Sequence, residues 1–242
     1  MDDLSAVRLQ YAQMIGEMAG LTSKRLIRAF AEVPREDFVG PGPWKILQVE
    51  NLWQYRDTPD DNPVHIYRDV LVALDASRHL NNGLPSALAR WLDALDLQDG
   101  QQVVHAGCGT GYCTAIIAYV VGHRGKIIAI EFDPDLAARA AANLNRFHHV
   151  QVIPGNAATY DPGKVDAIFI NAGATHPLPL WLDSLKPQGR LLFSACSLGR
   201  RGQIRFGDFR IGRDDAGAAL ERDLSCEIAW SRWYLPLRRG SR

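Results

Sequence analysis

Apolar residues set the first half of the picture. Leu4, Val7, Tyr11, Met14, Ile15 and Met18 recur at helical spacing. Gly20 can end that helix, and Thr22 or Ser23 can cap a second one carrying Leu26, Ile27 and Phe30, closed by Pro34. From about residue 85 the pattern becomes a regular alternation. Leu88, Leu92 and Leu95 mark a helix beginning near Pro85, and a strand follows at 102–106. An apolar helix then runs to about Val121, ended by Gly122, before a strand at 126–130. Asp133-Pro134 is a capping side chain followed by proline in the first turn, and Leu136, Ala140, Leu144 and Phe147 share one face beyond it. Val150–Ile153, Val165–Ile170 and Leu191–Phe193 read as further strands. The 165–170 run is almost wholly apolar, as a strand covered on both faces is. Strands alternating with helices predict an α/β fold with a doubly wound parallel sheet. Gln203–Ile211 and Cys226–Leu237 read as strands without intervening helix, so the sheet is expected to finish in an antiparallel pair.

Residues 36–68 break this regularity. Pro41, Pro43, Pro59 and Pro63 alternate with Trp44, Trp53, Tyr55 and Tyr67. Such a long irregular segment is either a lid or binding loop, or a surface arm packed by its own aromatics. The chain divides on this reading into 1–84, the N-terminal helices and aromatic segment, and 85–242, a cofactor-binding domain.

The chemistry centres on Val103-Val104-His105-Ala106-Gly107-Cys108-Gly109-Thr110-Gly111-Tyr112. A strand, three glycines at alternate positions and a helix start let a nucleoside cofactor approach the backbone closely. The dinucleotide fingerprint is GxGxxG. Here the spacing is GxGxG, and Tyr112 stands where the last dinucleotide glycine belongs, which favours S-adenosyl-L-methionine over NAD. Glu131 ends the next strand, twenty residues after Gly111, where a carboxylate can accept both ribose hydroxyls. The alternative is a surface glutamate at a strand end. His105, Gly107, Cys108, Gly109, Thr110, Gly111, Glu131, Phe132, Asn156, Ala157 and Asn171 are the residues expected at the cofactor. Asn156 can either bond an adenine edge or simply make a turn. Cys108 reads as a small filler rather than a nucleophile, because no base is placed beside it.

The remaining composition narrows the partners. Of 242 residues, 27 are Lys or Arg and 27 are Asp or Glu, a balance that argues for neither a nucleic-acid nor a membrane partner. No apolar run has the length of a membrane span, and Met1-Asp2-Asp3 has no signal-peptide core, so a cytoplasmic protein is expected. The four cysteines form no CxxC pair, which predicts reduced thiols and no metal site. Oligomeric state is left open.

Several segments together resemble the protein-L-isoaspartate O-methyltransferase family of class I S-adenosylmethionine-dependent methyltransferases. Val33-Pro34-Arg35-Glu36-Asp37-Phe38-Val39 resembles its VPRExFV signature, and Gly107–Tyr112 its GTGSGY loop. Asp166-Ala167-Ile168 resembles its FDAI strand, Leu185–Leu191 its LKPGGRL turn, and Tyr234-Leu235-Pro236-Leu237 its terminal VPL strand. The resemblance runs in family order over roughly residues 24–238. It implies a Rossmann-like seven-stranded, mostly parallel sheet with helices on both faces and a helical N-terminal extension. It also implies methyl transfer to a protein or peptide carboxylate.

Three departures stand out. The family's substrate loop reads GQTISQP, with its serine assigned to the active site; here Arg78–Pro85 occupies that place and Gly83 replaces the serine. Asn81 or Asn82 can supply an amide donor instead, so Asn81, Asn82 and Gly83 are the candidate catalytic positions. His105 stands where the family has Asp or Glu, and Asn156 where it has Asp. Trp53 and Tyr55 are further candidates for positioning a substrate. His79 is either a base for a hydroxyl or amine acceptor, or a structural histidine. The departures keep two alternatives open: a methyltransferase with another acceptor (a small-molecule hydroxyl, a peptide natural product or a nucleic-acid base), and an inactive cofactor-binding module.

Overall fold

A computed structural model describes residues 4–47, 54–198, 204–213 and 219–223, with side chains as far as Phe193. The chain opens with α1 (Leu4–Ala19) and α2 (Lys24–Glu32), the latter capped by Ser23, whose hydroxyl accepts from the Leu26 N–H. A single turn, α3 (Glu36–Val39), follows. Residues 45–81 then form a small antiparallel sheet of β1 (Lys45–Leu47), β2 (Arg56–Asp57), β3 (Leu71–Asp75) and β4 (Leu80–Asn81), in the order β2-β1-β3-β4. These strands are too short to show a period of two in the sequence. The aromatic segment is therefore partly a sheet, and Trp44 and Tyr67 are buried in the main core. Trp53 and the strand expected at 226–237 lie outside the described residues.

The second half follows the expected alternation: α4 (Pro85–Leu95), β5 (Gln102–Ala106), α5 (Tyr112–Val121), β6 (Lys126–Glu131), α6 (Pro134–Asn143), β7 (Val150–Pro154), β8 (Val165–Ala174), α7 (Pro179–Ser184), β9 (Leu185–Leu198), β10 (Ile204–Arg213) and β11 (Ala219–Asp223). They build a seven-stranded sheet ordered β11-β10-β9-β8-β5-β6-β7. Strands β9 to β7 are mutually parallel, and β10 is antiparallel to both β9 and β11. The order reverses at β5, whose neighbours are β8 and β6, and ligands bind beyond strand ends at such a switch point.

The two faces of the sheet are covered unequally. Helix α5 has nine of its ten residues buried. A helix apolar all round needs cover on both sides, and α1 and α2 provide the outer layer: Tyr11, Ile15, Leu26 and Phe30 share one core with Ile116, Val103 and Ile127. The opposite face, with Val104, Ile128 and Ile168, is covered by the short α7 through Trp181. No helix among the described residues is long and apolar enough to cross a membrane.

Candidate functional site

A cleft of about 330 Å3 opens at the carboxyl ends of β5, β6 and β8, and a second recess of about 240 Å3 adjoins the same residues. Gly107, Glu131, Phe132, Ala172 and Gly173 line both.

The wall beside the sheet is mostly backbone. The N–H groups of Gly107 and Cys108 both donate to Ile130 O, at 2.8 and 3.2 Å, tying the glycine turn to β6. Gly107 has φ +76°, and a Cβ there would lie 3.1 Å from Ala172 Cβ and from the Asn171 carbonyl. Only glycine lets the turn and the end of β8 approach so closely. Glu131, 9% exposed, accepts from the Gly109 N–H (2.7 Å) and from the Asp133 N–H (3.0 Å), one bond to each oxygen. A carboxylate has about four acceptor sites, so each oxygen keeps capacity for a hydroxyl. Phe132 is 77% exposed, an apolar ring left open at the junction of both recesses.

Other expected residues lie around this wall. Cys108, Thr110 and Asn171 line the larger cleft; Asn156 and Ala157 line the smaller. Burial raises the Cys108 thiol to about 12, with Glu131 adding to the rise, so it stays protonated at neutral pH. Asn156 Oδ1 accepts from the Ala158 N–H at 2.9 Å, which makes the turn and leaves the side-chain NH2 group. Thr110 donates its hydroxyl to Phe38 O at 2.6 Å, joining the glycine loop to α3.

His105 lines neither recess. It is fully buried, its ring stacked on Phe169 (5.1 Å between centroids, 9° between planes), and Nδ1 shares a 2.8 Å hydrogen bond with Thr114 Oγ1. Burial lowers its pKa to about 3. The strand alternation explains the placement: Val104 and Ala106 face the α7 side, and His105 faces the α5 side.

The opposite wall comes from residues 74–82. Asn81 and Asn82 line the cleft, with Leu74, Arg78 and Leu80. Asn81 Oδ1 accepts from the Tyr55 hydroxyl (2.8 Å), and its NH2 donates to His79 O (3.0 Å). The His79 ring stacks with Tyr55. Arg78 reaches Asp133 at 2.6 Å, linking this wall to the cap of α6 across the mouth, and holds the Asp133 carboxyl below the usual carboxylate range. Gly83 lines neither recess. Its φ is +88°, and a Cβ would lie 2.9 Å from Leu88 Cδ1. The backbone itself therefore disfavours a serine here.

Arg35 organises this wall, and the sequence marked it only as part of a signature. It is fully buried and pairs with no carboxylate among the described residues. Its guanidinium donates to Ile66 O (2.7 Å), Arg68 O (3.2 Å), Val70 O (2.7 Å), Gly83 O (3.3 Å) and Asn82 Oδ1 (3.1 Å). It also lies 5.8 Å from the Tyr112 ring centroid. The available signal was a lone arginine among Val33, Phe38 and Val39. Asp69 was missed as well: its carboxylate accepts from both N–H and hydroxyl of Ser86, capping α4 from outside the helix.

The chain is similar to known proteins in sequence and in fold. Protein-L-isoaspartate O-methyltransferase 2 of Archaeoglobus fulgidus is 39% identical over 45% of this chain and 51% of its own length. The Aeropyrum pernix protein-L-isoaspartate O-methyltransferase is 28% identical over 79% of this chain and 67% of its own. That of Thermotoga maritima is 25% identical over 70% and 50%. The matched region thus spans about half the length of two of these three relatives. Among solved structures, a protein-L-isoaspartate O-methyltransferase superposes with a TM-score of 0.69 at 22% identity, covering 86% of this chain and 60% of the other. A putative one from Plasmodium falciparum, solved with S-adenosyl-L-homocysteine, gives 0.68 at 16% identity, covering 90% and 94%. These two establish the likeness of fold. The family model for protein-L-isoaspartate(D-aspartate) O-methyltransferase matches residues 13–204, most of the sequence, and this chain belongs to that family.

Proposed function

We propose that this protein is an S-adenosyl-L-methionine-dependent methyltransferase acting on a protein or peptide carboxylate, of which the isoaspartyl side chain is the first candidate. The observation that carries the reading is the Glu131 carboxylate, locked to the glycine loop with acceptor capacity to spare, beside the exposed Phe132 ring.

The residues present suit the cofactor. Glu131 supplies acceptors for a ribose diol, Phe132 an apolar face for a purine, and Asn156 an amide NH2 donor in the recess that Ile130, Ile170 and Trp181 floor. Asn171 and the loop from Gly107 to Thr110 border the larger cleft, while Gly111 lines neither recess. Bound there, S-adenosyl-L-methionine supplies an electrophilic methyl group on a sulfonium. The protein's task is to hold an oxygen nucleophile in line and keep water away. A carboxylate is already ionised at neutral pH, with an ordinary pKa of about 4, so no general base is required. The site suits that chemistry: Cys108 is held protonated, His105 is neutral and walled off, and His79 lines neither recess.

Titration calorimetry with S-adenosyl-L-homocysteine tests the cofactor half, and methyl-ester formation on an isoaspartyl peptide tests the acceptor half. Binding without ester formation would reject the isoaspartyl acceptor. One observation favours a second reading, methylation of a different acceptor: Gly83 removes the family's hydroxyl, and its backbone resists putting one back. Labelling of small-molecule or nucleic-acid pools, with isoaspartyl protein unlabelled, is its signature. Failure to bind either S-adenosyl-L-methionine or S-adenosyl-L-homocysteine would undermine both enzyme readings.

A further inference from the structure

Asn82 is half-buried on the acceptor side of the cleft, and Arg35 decides which way round its amide sits. Arg35 Nε is a donor only, so the atom 3.1 Å from it must be the oxygen, and the amide cannot be flipped. The guanidinium is itself immobilised by four backbone carbonyls. The Asn82 N–H is spent on Val72 O at 2.8 Å. That leaves the side-chain NH2, which has no hydrogen-bond acceptor among the described residues. Asn81, by contrast, has spent both ends of its amide, on Tyr55 and His79.

We infer that the Asn82 NH2 group binds the methyl-accepting carboxylate and takes over the role of a hydroxyl donor that Gly83 cannot carry. Because its oxygen is held by Arg35, Asn82 offers donors alone. It therefore selects an acceptor group that is itself a hydrogen-bond acceptor, an ionised carboxylate, over an ammonium or an amide N–H. The inference rests on the methyltransferase reading above and names the side chain that sets its substrate class.

The variant Asn82→Asp separates this role from a structural one. Its carboxylate still receives Arg35, now as an ion pair, while the group presented to the cleft changes from donor to acceptor of the same size. Steady-state kinetics on an isoaspartyl peptide are expected to show kcat/KM reduced at least 50-fold, mainly through KM, with affinity for S-adenosyl-L-homocysteine unchanged within about twofold. Asn82→Leu, which removes the donor without adding charge, is expected to lose about tenfold, in line with one hydrogen bond to a charged group. Should Asn82→Asp fail to fold, Asn82→Leu decides by the same criterion. Peptide KM within threefold of the unaltered protein overturns the inference alone. An unaltered protein that binds S-adenosyl-L-homocysteine yet esterifies no carboxylate peptide overturns the reading beneath it as well.

Discussion

The two walls of the cleft are built by different physics. The cofactor-side wall is main chain: a glycine turn pinned to β6 through Ile130 O, with one carboxylate, Glu131, bonded back onto it. The acceptor-side wall is a set of short strands and turns whose backbone is gathered by one remote side chain, Arg35. The first wall depends on close approach and positive φ, so few sequences can make it. The second depends on a buried cation matched to particular carbonyls, so its lining side chains can change while its frame persists. Asn81, Asn82 and Gly83 sit in that frame, at the positions where the sequence resemblance places the Thr, Ile and Ser of a GQTISQP loop.

The largest effect expected is at Arg35. Arg35→Met leaves several carbonyls without a donor in the interior, at a cost of about 3–5 kcal/mol. In a chain this size that lowers the melting temperature by roughly 10 °C, as read by calorimetry. A change under 2 °C would mean the wall holds itself. Glu131→Ala strikes the other wall: affinity for S-adenosyl-L-homocysteine should fall about 100-fold, two charge-assisted bonds being worth roughly 3 kcal/mol. Equal binding by the variant would remove Glu131 from the site. Gly107→Ala should cost about 1–3 kcal/mol of stability, because its positive φ and the 3.1 Å approach to Asn171 are both strained by a methyl.

His105 yields a pH test that touches neither wall directly. Its folded pKa is depressed to about 3 by burial, against about 6.5 in an unfolded chain. Between those values the unfolded state holds the extra proton. Its contribution is therefore complete above about pH 6.5 and declines at about 1.4 kcal/mol per pH unit as pH falls toward 3. His105→Gln should flatten that part of the denaturation-versus-pH curve; an unchanged slope would assign it to other groups. The smallest effect is at Arg78, 55% exposed in its bond to Asp133. Arg78→Gln should speed release of S-adenosyl-L-homocysteine by about two- to fivefold, an effect fading at high salt as exposed ion pairs do. Stopped-flow release traces that coincide with those of the unaltered protein would show that the bridge does not hinder exit.

The parallel core was legible because its signals are local and repeated. The 102–106 and 126–130 strands, the Asp133 cap and the GxGxG turn each declare themselves within a few residues. The β1–β4 sheet was not legible, since strands of two to five residues have too little periodicity, and pairing partners up to 26 residues apart leave no local trace. Residues 36–68 read as an irregular segment, either a lid or a surface arm, for that reason, although Trp44 and Tyr67 are core residues.

What the amino-acid sequence determined by itself was the doubly wound fold, the position of the glycine loop, and Glu131 at the following strand end. Backbone conformation and alternation along a strand are written residue by residue. Only the tertiary structure decided which polar groups remain for a ligand. It buried His105 against Phe169, saturated Asn81 with Tyr55 and His79, and left one end of Asn82 unspent. Those outcomes turn on contacts such as the Arg35–Asn82 hydrogen bond, 47 positions apart, and the more distant His105–Phe169 stack, and a partner at such separations is set by packing rather than by neighbours in the chain.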